Sequence, residues 1–375
     1  HFKFQGIATF AAIECSAIGQ AAMVMNLYRI ASLYLFHNFY FLSGKATETG
    51  VYLWNFKILV YKTMNYRDIR IVFMGTPAFA VASLDALCAA GCQVVGVVTA
   101  PDKPAGRGMQ LQQSAIKQYA TEHNLPVLQP EKLRDPAFLD SLARWKADLQ
   151  VVVAFRMLPE VVWNAPPMGT INVHGSLLPQ YRGAAPINWA VINGETQTGV
   201  TTFKLQHAID TGNLLLQKTM PIGPHENAGS VHDRMMVLGA ETLVTTIKEL
   251  AAGSLVEKPQ SADNSLLKHA PKLFTETARI NWHKPVQELY NLVRGLSPYP
   301  AAFTALEGKT LRIFDAVMEQ QTPTVAAGEW LTDNKTFLKF AAADGYLSLQ
   351  EIQLQGKKKM PVQDFLRGYR FQNNA

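Results

Sequence analysis

From Arg70 onward, short apolar runs rich in Val and Ile alternate with stretches whose apolar positions recur at helical spacing. This rhythm predicts strands at Arg70–Gly75, Gln93–Ala100, Pro126–Gln129 and Leu149–Phe155, separated by helices at Pro77–Ala90, Ser114–Asn124 and Pro136–Trp145. Further strands are expected at Thr170–His174, Gly199–Leu205 and Leu214–Pro221, followed by a long helix over Ser230–Leu250. Strands alternating with helices in this way predict an α/β domain of the Rossmann-like kind, a parallel sheet with helices on both faces. After a polar connection the pattern changes. A short helix at Val286–Val293 precedes brief strands at Ala302–Leu306, Thr310–Ala316, Phe337–Ala341 and Leu347–Leu354, with turn signals at Glu307-Gly308 and Asp344-Gly345. These suggest a small β-barrel of the oligonucleotide-binding type.

The expected organisation is a Rossmann-like domain over 64–250, a linker over 251–272 and a C-terminal β-barrel over 273–375. The first 63 residues lie outside this rhythm. Gly6–Met25 is apolar but interrupted by Glu14, and Leu27–Leu42 is aromatic-rich with Arg29 and His37 inside it. Neither is a clean membrane span of ~20 residues, and neither has the arrangement of a signal peptide. The expectation is that 1–63 is upstream sequence outside the folded enzyme, which would begin at Met64.

Composition changes the picture little. The 375 residues exceed the ~250–300 at which one core stops growing, so more than one domain is required. With 48% hydrophobic and 17% charged residues, the chain is neither disordered nor fibrous. The net charge of +6 is unevenly spread: residues 64–267 hold sixteen basic and seventeen acidic groups, and 268–375 hold fourteen and ten. A basic excess on the β-rich tail is the footprint expected for a polyanionic partner, though ordinary surface charge gives the same count. The three cysteines, Cys15, Cys88 and Cys92, form no disulfide framework or zinc motif and suit a reducing, cytoplasmic setting.

Chemistry gathers in three places. Asn172 and His174 lie two apart at the end of an expected strand, so both face one side, and strand carboxyl ends border the ligand crevice of such sheets. A strand-end hydrogen-bonding pair is the bland alternative. The segment Gly175-Ser176-Leu177-Leu178-Pro179, continuing to Tyr181-Arg182-Gly183-Ala184-Ala185-Pro186, is irregular and rich in small residues, which allow close backbone approach to a ligand. Asp210, in Ile209-Asp210-Thr211-Gly212, supplies a carboxylate that can orient an imidazole, although a simple turn reads the same way. Lys103 to Gly108 is a basic Pro/Gly loop with Arg107 between two glycines, suited to a phosphate groove or to nothing beyond solvent. Gly75-Thr76-Pro77 replaces the glycine fingerprint of dinucleotide binding and no Walker motif occurs, so neither a nicotinamide cofactor nor a nucleotide cradle is expected.

Taken together, Asn172-Val173-His174-Gly175-Ser176-Leu177-Leu178-Pro179, Arg182-Gly183-Ala184-Ala185-Pro186 and Ile209-Asp210-Thr211-Gly212 resemble the formyltransferase family that uses formyltetrahydrofolate. Met74-Gly75-Thr76-Pro77, the Lys103–Gly108 loop and Gly356-Lys357-Lys358-Lys359-Met360 are similar to the branch whose acceptor is methionyl-tRNA, and the likeness spans about 70–370. The resemblance implies formyl transfer from 10-formyltetrahydrofolate, as co-substrate, to the methionine α-amino group of initiator methionyl-tRNA, for translation initiation. It also implies catalysis by Asn172, His174 and Asp210, folate contact at Ser176, Leu177, Leu178 and Pro179, and tRNA contact at Lys103 and Arg107. The C-terminal barrel would hold the tRNA, with Lys357, Lys358 and Lys359 on it. No metal and no membrane partner are expected, and a monomer is. Two alternatives stay open: another enzyme with the same trio, formylating a sugar amine or glycinamide ribonucleotide or hydrolysing the folate, and a non-catalytic RNA-binding protein on the same scaffold.

Overall fold

In the computed structural model, residues 64–105, 110–260 and 267–371 are described. Seven strands form the first sheet: β1 (Arg70–Gly75), β2 (Gln93–Val98), β5 (Val127–Leu128), β6 (Leu149–Val153), β7 (Thr170–His174), β9 (Gln197–Lys204) and β10 (Leu214–Pro221). Their order is β10-β9-β7-β6-β1-β2-β5. Pairing from β5 through β7 is parallel, while β9 runs antiparallel to both β7 and β10. The sheet is therefore parallel where expected and mixed at one side.

Burial on both faces explains the continuous apolar runs. Along β1, Ile71 and Phe73 enter one core and Val72 and Met74 enter the other, all fully buried. Strand β6 repeats this, with Val151 and Val153 on the first side and Val152 on the second. Helices α1 (Ala78–Ala89) and α6 (Ala228–Ala252) cover the first face. Helix α3 (Pro136–Arg144) covers the second with Phe138 and Leu142. Local chemistry sets the helix starts. Ser114 caps α2 (Ala115–Glu122) by accepting the Lys117 N–H, Asp135 caps α3 ahead of Pro136, and Asn227 caps α6 by accepting the Ser230 N–H.

The second sheet is antiparallel. Strands β12 (Ala302–Leu306), β13 (Lys309–Glu319), β16 (Tyr346–Leu354), β15 (Leu338–Ala341) and β14 (Trp330–Thr332) pair in that order, and β17 (Met360–Pro361) joins β16. The outer strands β12 and β14 do not pair with each other, so the small β-barrel expected here is a half-barrel, open along that edge. Helix α8 (Val286–Leu296) fills its concave side: Val286, Leu289, Val293 and Leu296 repeat at helical spacing and are buried. Trp282 stacks on Phe340 with ring centroids 4.8 Å apart. Helix α5 (Pro186–Ile192) meets α8 closely, with Asn188 donating to the Gly295 carbonyl at 2.8 Å.

Three details depart from the sequence expectation. Lys103–Gly108 begins as a hairpin, β3 (Lys103–Ala105) against β4 (Gln110–Gln112). A C-terminal helix, α9 (Val362–Gly368), closes the chain's second core with Val362, Phe365 and Leu366. The linker expected over 251–272 is tied to the first sheet and its loops where it is described: Lys258 exchanges backbone hydrogen bonds with Leu214, and β11 (His269–Ala270) pairs with β8 (Arg182–Gly183). Pairings of one or two residues leave no periodic trace in sequence. The expectations for 1–63 lie outside the described residues, as does Arg107.

Candidate active site

Strand order reverses at β1: the chain builds β2 and β5 on one side, then crosses to β6 and β7 on the other. Ligand crevices of open α/β sheets form at such switch points, beyond the strand carboxyl ends. A cleft of about 760 Å³ opens there. Pro77 and Phe79 follow β1, the run from Ala154 to Leu158 follows β6, and Asn172 and His174 come from β7 itself. The turn between β9 and β10 contributes Leu205 to Asp210.

The structure brings Asn172, His174 and Asp210 together on this cleft. His174 is 6% exposed, with Nε2 2.9 Å from the Tyr181 carbonyl. A carbonyl only accepts, so Nε2 carries the hydrogen and Nδ1 is left toward Asp210. The Nδ1–Oδ2 separation is 3.8 Å, close enough for charge attraction and too long for a direct hydrogen bond. Asp210 Oδ2 accepts the Gly183 N–H at 3.0 Å. The Asn172 amide makes no hydrogen bond among the described residues and is free to donate into the cleft.

Backbone conformation fixes these positions. Asp210 has φ 54°, a left-handed value that short polar side chains tolerate. Gly212 sits so tightly against β9 that a Cβ there would lie 1.6 Å from the Lys204 carbonyl oxygen. Tyr181 also has positive φ, 60°, and its N–H is tied to the Lys268 carbonyl at 2.6 Å. Its hydroxyl donates to Glu195 at 2.5 Å, and Lys268 Nζ reaches the same Oε1 at 2.5 Å. Burial and the Glu195 carboxylate push the Tyr181 phenol upward. Burial pushes Glu195 up too, but Lys268 and Tyr181 outweigh it and hold that carboxyl below its ordinary range.

Ser176 to Pro179, the expected folate contacts, directly follow His174 at the end of β7 and are not among the residues that line the cleft. Thr201 holds them against the sheet: its hydroxyl donates to the Ser176 carbonyl at 2.6 Å and accepts the Leu178 N–H at 3.1 Å. Leu178 is 3% exposed as a result. The apolar wall comes from Phe155, Met157, Leu158, Leu205 and Ile209. Their position after strand ends was the available signal. Gly183 N–H and the Tyr181 carbonyl were invisible to residue type, being backbone groups. Of the expected tRNA contacts, Lys103 is exposed on the β3–β4 hairpin, whose base Asp102 anchors to Lys117 and Gln129. Lys357, Lys358 and Lys359 are exposed between β16 and β17, Lys359 pairing with Glu351 at 2.8 Å. No described group of three or more His, Cys, Asp or Glu is placed to hold a metal ion, and no described helix is long and apolar enough to cross a membrane.

The mixed sheet with its strand-end Asn–His pair and turn aspartate, and the half-barrel after it, fall on two stretches that place the chain among the formyltransferases. Residues 69–247 match the formyl transferase family and residues 272–370 match the formyl transferase C-terminal domain. The methionyl-tRNA formyltransferase of Bacteroides fragilis is 51% identical over 313 residues, covering 82% of this chain and 97% of that protein. That of Parabacteroides distasonis is 53% identical over 316 residues, covering 82% and 98%. The chain belongs to the methionyl-tRNA formyltransferase family. Among solved structures, an N-formyltransferase from Helicobacter canadensis, in complex with folinic acid and dTDP-3-aminofucose, superposes with a TM-score of 0.55 at 17% identity, covering 78% of this chain and 100% of that one. HypX from Aquifex aeolicus in complex with tetrahydrofolic acid gives 0.54 at 19%, covering 81% and 48%. Both likenesses concern the fold.

Proposed function

We propose that this cleft transfers the formyl group of 10-formyltetrahydrofolate to the α-amino group of methionine on initiator methionyl-tRNA, in the cytoplasm and as a monomer. The observation that carries the reading is the convergence of Asn172, His174 and Asp210, with His174 oriented by the Tyr181 carbonyl so that Nδ1 alone is left to exchange a proton. The amine nitrogen bonds to the formyl carbon, and the carbonyl oxygen takes up negative charge. Donors from Asn172 and from protonated His174 stabilise that oxygen. The amine then gives up a proton, the bond from N10 to the formyl carbon breaks, and N10 takes a proton. Asp210, 3.8 Å from Nδ1, helps move the proton.

The apolar wall of Phe155, Met157 and Leu158 suits the flat donor heterocycle. Ser176–Pro179, expected to contact the folate, follow directly on the end of β7 that carries Asn172 and His174. Exposed Lys103, Lys357 and Lys358, with Arg107 and Lys359, suit the tRNA phosphates. The identity to methionyl-tRNA formyltransferases over nearly their whole length favours this acceptor over a sugar amine or glycinamide ribonucleotide.

The decisive assay measures formylation of charged initiator tRNA with formyltetrahydrofolate, an amino sugar competing as acceptor. His174→Ala and Asp210→Asn are expected to lose ~100- to 1,000-fold or more in rate, with tRNA binding retained. Wild-type turnover in either variant, or preference for the sugar, would overturn the proposal.

A further inference from the structure

Gln260 lies outside the cleft lining, on the connection between the two cores, yet its amide is fully engaged with the catalytic loops. Its Nε2 donates to the Asp210 carbonyl at 2.8 Å and to the Gly212 carbonyl at 2.8 Å. Its Oε1 accepts from Arg182 Nε at 3.1 Å and Nη2 at 2.6 Å. Two donor hydrogens and two lone pairs are the whole capacity of a carboxamide, and all four are used. The segment bearing it is itself held to the sheet, because Lys258 and Leu214 exchange backbone hydrogen bonds at 2.7 and 2.9 Å.

The two loops that Gln260 joins are those that place the Asp210 carboxylate. Asp210 stands in a left-handed conformation with its Oδ2 on the Gly183 N–H, and Gly183 follows Arg182 directly. Asp210 is thus gripped at its carboxylate by one loop and at its carbonyl by Gln260, which in turn grips that same loop through Arg182. We infer that Gln260 is a positioning residue for formyl transfer: it locks the Asp210–Gly212 turn to the Arg182–Gly183 loop and so sets the distance between Asp210 and His174. This rests on the formyl-transfer reading of Asp210.

No other side chain of similar size does the same. Glutamate keeps the Arg182 contact but turns a lone pair toward two carbonyl oxygens. Methionine fills the space and bonds to none of the four groups. Asparagine falls one methylene short.

The test is steady-state kinetics on the full chain carrying Gln260→Met, Gln260→Glu, Arg182→Met and the Gln260→Met/Arg182→Met pair, with rates normalised to the fraction that binds tRNA. A misplacement of about 1 Å at a reacting group costs ~100-fold, so kcat is expected to fall by about 10- to 100-fold in both Gln260 variants. KM for both substrates should stay within about threefold, because the lost interaction matters only in the transition state. Arg182→Met should cost a similar factor and the double variant no more than the worse single, since the two side chains act through one bridge. Unchanged kcat, an effect confined to KM, or losses that multiply in the double variant would each overturn the inference. Asp210→Asn serves as control: if it turns over normally, the catalytic reading has failed; if it is impaired while Gln260→Met is not, only the positioning role has.

Discussion

At the scale of the residue, the site depends on backbone groups as much as on side chains. The carbonyl that orients His174 belongs to Tyr181, and the N–H that holds Asp210 belongs to Gly183. Gly183 has φ 128°, and a Cβ there would lie 2.4 Å from the Ala270 carbonyl oxygen. Gly183→Ala is therefore expected to destabilise the fold by roughly 1–3 kcal/mol and to lower kcat by displacing Asp210. Thermal melting and turnover measured together check both. Asp210→Asn separates charge from shape, because asparagine also accepts the left-handed conformation; its melting temperature should stay near wild type while formylation collapses. Asn172 and His174 were legible in the sequence through the period of two in a strand. Asp210 was legible as a carboxylate able to orient an imidazole, but a plain turn reads the same way and its catalytic role came from the resemblance; Gln260 was not legible at all, since an isolated glutamine in a polar stretch carries no pattern.

Elements were legible where an apolar run is buried. β1, β6, β7 and α6 bury enough apolar surface to impose a rhythm, whereas β8 and β11, two residues each, are held by loop geometry. The strands of the half-barrel were legible but its degree of closure was not, because closure depends on which edges pair, and alternation along single strands does not record that. Side-chain ties between elements carry a pH signature. Glu195 joins Lys268 to Tyr181, and Glu226, in the loop just before α6, is joined to Arg234 on that helix. Burial works against both carboxylates, yet Lys268 and Tyr181 in one case, and Arg234 and the Gly223 N–H in the other, hold them below the ordinary value. A carboxyl depressed in the folded state adds stability above its unfolded pKa of about 4.3, and that stability is lost as pH falls through the folded value. The melting temperature should accordingly be flat near neutrality and fall on acidification below about pH 4. Glu195→Gln should flatten that fall. In the second core, Leu289 is fully buried on α8, and Leu289→Ala is expected to cost about 2–5 kcal/mol, read by denaturant titration.

For the molecule as a whole, the proposed function assigns chemistry to the first core and recognition to the second. If the exposed lysines between β16 and β17 meet phosphate, log Kd for tRNA should vary linearly with log salt, and Lys357→Ala or Lys358→Ala should each reduce the slope by about 1 without altering kcat. A slope unchanged in both variants would place the tRNA elsewhere. The stitched connection also decides how the protein can be cut. Gln260 holds the Asp210 turn, Lys268 holds Tyr181, and Ala270 pairs with Gly183. A catalytic fragment ending at the last turn of α6 would leave its own active site unbuttressed. In a chimera, the junction for grafting another recognition module belongs after Pro271, because the chain before it remains part of the enzyme it appears to be leaving.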